Sequence, residues 1–195
     1  MTVDTHVKTL RTGRLVMRLP EERDIEPIFQ ACQDPLIQRF TLVPVPYRRS
    51  DAEWFVRVNA PNPASVTWSI EAADGHLAGT IGVSLKGDGS GSVGYWCAPA
   101  DRGNGYLGEA LHAVVEHAFD DEDGLGLRRV TWRALCDNVV SARMAAAAGF
   151  RYTGVRTDNL RDGDERMHTA ELWAADDRSP QIWPADVVGI SKSGA

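Results

Sequence analysis

The densest chemistry-bearing pattern in the sequence is the run of seven residues Arg102-Gly103-Asn104-Gly105-Tyr106-Leu107-Gly108. From Gly103 to Gly108 it matches G-x-G-x-x-G letter for letter. Glycines at the mouth of a helix bare successive backbone N–H groups at the positive end of its dipole. That arrangement holds a pyrophosphate without any side chain. The same letters open dinucleotide-binding units, and Asn104-Gly105 alone would also serve as a hairpin turn.

The elements around the run separate these readings. Val66–Ala72 alternates apolar and polar residues, Asp74-Gly75 turns the chain, and Leu77–Leu85 returns. KGDGSG is a second tight turn, and Val93–Cys97 closes an antiparallel meander that runs into the glycines. After them, Leu107, Leu111, Val114, Val115 and Ala118 form the apolar stripe of a helix ending near Phe119. A strand enters and a helix leaves, so a hairpin turn does not fit. A dinucleotide fold needs a buried parallel strand before the glycines and an acid about 20 residues on, at the end of the next strand. Here Pro99-Ala100-Asp101 intervenes, and Asp123 precedes the Val130 strand. Phosphate binding by another kind of ligand fits best.

The remaining elements give the frame. Leu15–Arg18 reads as a strand, and Ile25, Ile28, Phe29 and Cys32 as one helix face. Ser50-Asp51-Ala52-Glu53 reads as a capping box opening a helix through Val58, with Trp54 and Phe55 facing inward. VPVPY and APNPAS are loops. Asp120–Asp123 is a solvated acidic turn, and Val130–Leu135 is a strand. Asn138 caps a helix through Met144 to the alanines, stopped at Gly149. Strands follow around Phe150–Val155 and Thr169–Trp173. The order predicts an α+β (mixed α/β) architecture, one central twisted mixed sheet flanked by helices. Residues 1–12 are expected to form an N-terminal extension, 13–175 the domain, and 176–195 a tail.

Composition narrows the function classes. The 195 residues suit one domain, with 43% apolar and 25% charged residues. A formal charge of −6 argues against a nucleic-acid partner. No apolar run approaches the roughly 20 residues of a membrane span. The N-terminus has neither the cationic start nor the apolar core of a signal peptide, so a cytoplasmic protein without a membrane partner is expected. Cys32, Cys97 and Cys136 are odd in number and lack C-x-x-C spacing, which predicts buried thiols. His112 and His117 fall on different helix faces, and no metal is expected.

GYWCAPADRGNGYLGEAL, followed by NVVSARMAAAAGF, resembles the GNAT superfamily of acyl-CoA-dependent N-acyltransferases. Within it the likeness is to RimJ/RimL-type enzymes, which acetylate protein N-termini, notably of ribosomal proteins. Arg102-x-x-Gly105 matches the pyrophosphate signature R-x-x-G-x-[GA], with Tyr106 and Glu109-Ala110-Leu111 as its continuation. Asn138, Ser141 and Gly149-Phe150 match a second signature, an Asn-x-x-Ser helix ending in Gly-Phe. The order of elements agrees from about Gly13 to Trp173. The departure is Leu107, which stands at a position the signature keeps small, with Gly108 following.

The resemblance implies a GNAT fold and acetyl-CoA as co-substrate, its pyrophosphate held by Arg102, Gly103, Asn104, Gly105, Tyr106, Leu107 and Gly108. It implies that the strand carrying Trp96, Cys97 and Ala98 splays from its neighbour. Backbone groups there would hold the pantetheine arm, and one N–H would meet the oxyanion. Asn138 reads as a helix N-cap and, by resemblance, as a pantetheine contact. Ser141 reads either as a solvent-facing helical serine or, by resemblance, as the donor that protonates the departing thiolate. Tyr152 is a second candidate donor or a core aromatic. RimL-type enzymes are thought to use a Glu beyond the Gly-Phe, which has no counterpart here. Asp158 is the nearest carboxylate and Glu71 another; each is otherwise a surface acid. Glu109, in the first helical turn, reads as structural.

The expected function is acetyl transfer from acetyl-CoA to a primary amine, foremost a protein N-terminus. The alternatives are a small amine or amino-sugar drug as acceptor, a longer donor such as succinyl-CoA, and a non-catalytic CoA-binding module. A homodimer is the assembly that analogy implies.

Overall fold

Each period-two stretch of the meander becomes a strand. The computed structural model describes residues 7–160 and 163–189. Its strands are β1 (Leu10–Arg11), β2 (Leu15–Arg18), β3 (Ser65–Ala72), β4 (Leu77–Lys86), β5 (Ser90–Cys97), β6 (Arg129–Leu135), β7 (Arg151–Leu160) and β8 (Gly163–Trp173). They form one sheet in the order β1-β2-β3-β4-β5-β6-β8-β7. All neighbours run antiparallel except β5 and β6. The helices are α1 (Ile25–Ala31), α2 (Pro35–Phe40), α3 (Arg49–Trp54), α4 (Tyr106–Phe119) and α5 (Val139–Ala147).

Successive strand residues face opposite sides, and two cores result. On one side Leu111, Val114 and Val115 of α4 pack on Ile81, Val83 and Val93, together with Ala142 and Ala145 of α5. Each of the leucine, isoleucine and valine side chains, fully buried, stabilises by about 1.5–3 kcal/mol. On the other side Ile25, Ile28, Ala52 and Val56 of the α1–α3 region close over Trp96. The turn before α1 is locked by charge: Asp24 accepts both guanidinium arms of Arg18, the Glu21 N–H and the Ser69 hydroxyl.

Four local readings change. Helix α2 was not anticipated, although Asp34-Pro35 carries its start: Asp34 accepts the N–H groups of Leu36 and Ile37. Helix α3 begins at Arg49, because the Asp51 carboxylate takes the Arg48 N–H at 2.7 Å; Ser50 is not its cap. Trp54 faces outward and is 55% exposed, since the inward stripe is set by Ala52 and Val56, four apart. The last hairpin is longer than its apolar segments. Its charged outer half still pairs, with Asp158 opposite Glu165, so Asp158 lies within a strand.

Part of the segment beyond β8 docks on the domain. Trp183 is buried and donates its indole N–H to the Phe150 carbonyl at 2.8 Å. Arg143 of α5 donates to the Val188 carbonyl at 2.6 Å.

Candidate active site

Strands β5 and β6 pair only through Ser90–Arg129, Gly91–Val130 and Ser92–Thr131, and then part. The gap opens into a cleft of about 820 Å³, walled by both strands, by α2 and the loop after it, and by the start of α5. Alternate residues of a strand turn their backbone groups to one neighbour. Ala98 donates its N–H to Ala78 of β4, so those of Val93, Tyr95 and Cys97 face the gap. Trp96 and Cys97 line the cleft, whereas Ala98 is spent on β4 and packs in the α1–α3 core. Burial pushes the Cys97 thiol up to about 11.

The glycine run sits at one end of this cleft, with Arg102 and Leu107 on its wall. Gly103 and Gly105 take φ of 86° and 77°, a region costly to residues with a Cβ. A Cβ at Gly103 or Gly108 would meet nothing within 4 Å, and at Gly105 only the Arg14 guanidinium at 3.5 Å. The N–H groups of the first turn of α4 lack partners within the helix, and the space before them is open. The loop is braced from behind. Arg14 donates to the Asn104 carbonyl at 2.9 Å and to Glu109 at 2.7 Å, and the Thr12 hydroxyl also reaches Glu109. Glu109 is therefore structural. Arg102 pairs at 2.5 Å with Asp34, the cap of α2, and holds that carboxyl below the ordinary range.

Beneath the loop, buried Asp101 sits 2.7 Å from His76 Nε2, while Asp74 takes the other ring nitrogen. The two carboxylates, Asp101 foremost, raise the His76 pKa. A raised histidine contributes its full stability below its ordinary pKa of about 6.5 and loses it as pH climbs through the folded value. Melting temperatures of the wild type should therefore fall between about pH 6 and pH 8.5 more than those of His76→Gln. Equal slopes in the two proteins would show that the contact is electrostatically silent.

At the point where the strands part, three side chains meet. Tyr95 OH lies 3.0 Å from Ser141 Oγ, and the Trp132 indole N–H donates at 3.0 Å to Tyr95 and 3.2 Å to Ser141. Asn138 Oδ1 accepts the Ser141 N–H at 3.2 Å, so the expected cap is present. Ser141 is buried and lines the cleft, which corrects the solvent-facing alternative. Burial pushes the Tyr95 phenol up to about 12. Tyr152 is off the cleft wall, its hydroxyl 2.9 Å from His168 and its ring against Trp183.

The family defined by the Acetyltransferase (GNAT) domain matches residues 14–151. The chain belongs to the GNAT acetyltransferases. It is an acyl-CoA-dependent N-acetyltransferase with the fold that the glycine run and the Asn-x-x-Ser helix implied. Among solved structures it is similar to a GNAT acetyltransferase from Bacillus anthracis, at 18% identity and TM-score 0.76, covering 87% of this chain and 100% of that one. A putative ribosomal-protein-serine acetyltransferase from Vibrio cholerae shares 21% identity at TM-score 0.73, covering 89% and 99%. RimL, a ribosomal alpha-N-protein acetyltransferase in complex with coenzyme A, shares 17% identity at TM-score 0.75, covering 87% and 100%. No curated protein sequence matches the chain.

The acids of this GNAT chain divide by position. Asp158 is ion-paired with Arg133 and lies off the cleft wall. Glu71 is held by Arg18 and Arg23, at 2.8 and 2.9 Å. The carboxylates on the wall are Asp51, which caps α3, and Glu165, which Arg39 approaches at 3.1 Å. Sequence reasoning missed Tyr95, Trp132 and Glu165. The first two needed the parting of β5 and β6, and the third needed the hairpin register. Among the described residues no three His, Cys, Asp or Glu side chains form a metal-binding group, and no helix is long and apolar enough to cross a membrane.

Proposed function

We propose that this acetyltransferase moves acetyl from acetyl-CoA to the α-amine of a polypeptide N-terminus. The parting of β5 from β6 beside an open glycine-capped helix carries the donor half of the reading. The pyrophosphate takes the N–H groups from Gly103 to Gly108, and Arg102 exchanges Asp34 for it. The pantetheine arm follows the free backbone edge of β5 past Asn138. The thioester carbon then lies where the strands part, with Ser141 beside the sulfur. A neutral amine attacks, a β5 N–H stabilises the oxyanion, and placement supplies much of the rate.

The acceptor half rests on the opposite end of the cleft. Thr67, Ser84 and Ser92 line it with short hydroxyls, and Gly82 and Gly94 leave the floor clear. Val43, Pro44 and Phe55 wall it. A chain terminus, slender and uncharged once deprotonated, fits such a slot. The likeness to RimL, an alpha-N-protein acetyltransferase, and to the Vibrio cholerae ribosomal-protein-serine acetyltransferase supports a protein acceptor. Glu165, on the wall, is better placed than Asp158 to take the proton of the ammonium.

Thermal stabilisation by acetyl-CoA, CoA and succinyl-CoA tests the donor. A ligand at ~100 times its Kd adds about 2.7 kcal/mol. Turnover is then compared on a short peptide with a free N-terminus, its N-blocked twin carrying a lysine, a polyamine and an aminoglycoside. Acetylation of the free peptide alone is expected. Faster turnover of the lysine peptide or the small amines would overturn the acceptor assignment, and preference for succinyl-CoA would overturn the donor.

A further inference from the structure

The hydrogens around Ser141 can be counted, and the count has a direction. We infer that Trp132 and Tyr95 are positioning residues that aim the Ser141 hydroxyl hydrogen into the cleft, at the sulfur of the departing thiolate. The inference rests on the donor reading above, in which acetyl-CoA occupies the gap between β5 and β6.

An indole nitrogen donates and never accepts. The Trp132 N–H lies within hydrogen-bonding range of both the Tyr95 and the Ser141 oxygens, and those oxygens share one hydrogen across 3.0 Å. A phenol is a stronger acid than an aliphatic alcohol, so Tyr95 donates and Ser141 accepts. Both acceptor positions of the serine oxygen are then filled by protein donors. Its own hydrogen has no acceptor among the described residues. All three side chains line the cleft, so the hydrogen projects there. Two donors on one oxygen also polarise its remaining O–H bond, as in any donor chain in a low-dielectric site. Asn138 fixes the serine backbone from the other side. The ring of Trp132 stands edge-on to Trp183 at 5.3 Å, so the docked C-terminal segment holds the donor in place.

The transfer balances. The carbon–sulfur bond breaks and its electron pair stays on sulfur. The Ser141 proton passes to that sulfur. The serine oxygen, held by two donors while it is anionic, recovers the proton that the nitrogen sheds, delivered through solvent. Thioester and neutral amine become amide and thiol.

The test is the thiol pKa of bound CoA, read from thiolate absorbance in the ultraviolet, in the wild type, Trp132→Phe, Tyr95→Phe and Ser141→Ala. Thermal shift confirms CoA binding in each. A donor aimed at sulfur favours the thiolate, so the wild type should titrate about one unit below free CoA. Ser141→Ala should abolish the shift, and Trp132→Phe and Tyr95→Phe should each remove at least half of it. In acetyl transfer the two positioning variants should lose about tenfold in kcat, with KM for acetyl-CoA within about twofold. Tyr95→Phe deletes a single oxygen, so it reports even where Trp132→Phe folds poorly. If CoA binds every variant and all titrate alike, the inference falls and the donor reading stands. If CoA does not bind the wild type, both fall together.

Discussion

Asp24→Ala is expected to lower the free energy of unfolding by about 3–5 kcal/mol, measured by urea denaturation with an unchanged m-value. Asp24 is 3% exposed, and its carboxylate accepts from both arms of Arg18 at 2.8 and 2.9 Å, from the Glu21 N–H at 2.8 Å and from the Ser69 hydroxyl at 2.9 Å. Its removal strands a largely buried guanidinium, which costs far more than the net worth of the intact pair. Glu71, also within reach of Arg18, keeps the loss toward the lower end. Burial works against the charged carboxyl, but Arg18, the Glu21 amide and Ser69 outweigh it and hold its pKa below the ordinary value of 3.8. The sign follows: this stability is present above that value and drains as pH falls through the lower folded one. Asp24→Asn keeps the shape and should lose the acid-side slope along with the charge. A wild-type acid limb that survives unchanged in Asp24→Asn would assign it elsewhere. The site would feel the change indirectly, because this cluster ties β2 and β3 to the start of α1, and the α1–α3 layer forms one wall of the cleft.

The parts of the fold that a reader of the sequence can recover are those with a long, unbroken period. The β3–β5 meander and α4 bury one face each over many residues, so alternation and the 3.6-residue stripe survive in the letters. Helix α2 buries only Ile37, and six residues leave no stripe to read. Among the described residues the outer half of the last hairpin pairs with no third strand and its side chains are exposed or half-exposed on both faces, so no alternation marks it. Trp54 misled because an aromatic beside Phe55 looks like core, yet adjacent helical positions point apart. The candidate site divides in the same way. The glycine run and the Asn138 cap are local and were legible. The meeting of Tyr95, Trp132 and Ser141 joins residues 46 and 37 apart, and the Arg102–Asp34 pair spans 68. No local pattern encodes where two parallel strands stop pairing, and that parting is what exposes the free backbone edge.

Gly105→Val should weaken acetyl-CoA binding by about a hundredfold, or about 2.7 kcal/mol, measured by calorimetry. The residue caps α4 with φ of 77°, where a side chain costs about 1–2 kcal/mol. The added Cβ meets only the Arg14 guanidinium at 3.5 Å, so no core contact is lost and the melting temperature should fall by only a few degrees. The strain has one cheap outlet, rotation of the loop, which swings the N–H groups of Tyr106, Leu107 and Gly108 off their common focus. The branched methyls meanwhile occupy the approach to them. Gly108→Ala separates the two effects. Its backbone is helical and its Cβ has open space, so alanine adds up to about 1 kcal/mol of helix stability without strain. If Gly108→Ala melts higher and binds acetyl-CoA as before, the loss in Gly105→Val comes from loop geometry. If both bind weakly, the pyrophosphate lies against the Cα atoms themselves, and the glycines serve close approach. That second outcome bears on Leu107, whose side chain lies on the cleft wall between them: a cofactor pressed onto the backbone must then pass it on the cleft side. Wild-type affinity in Gly105→Val would remove the pyrophosphate from this loop altogether.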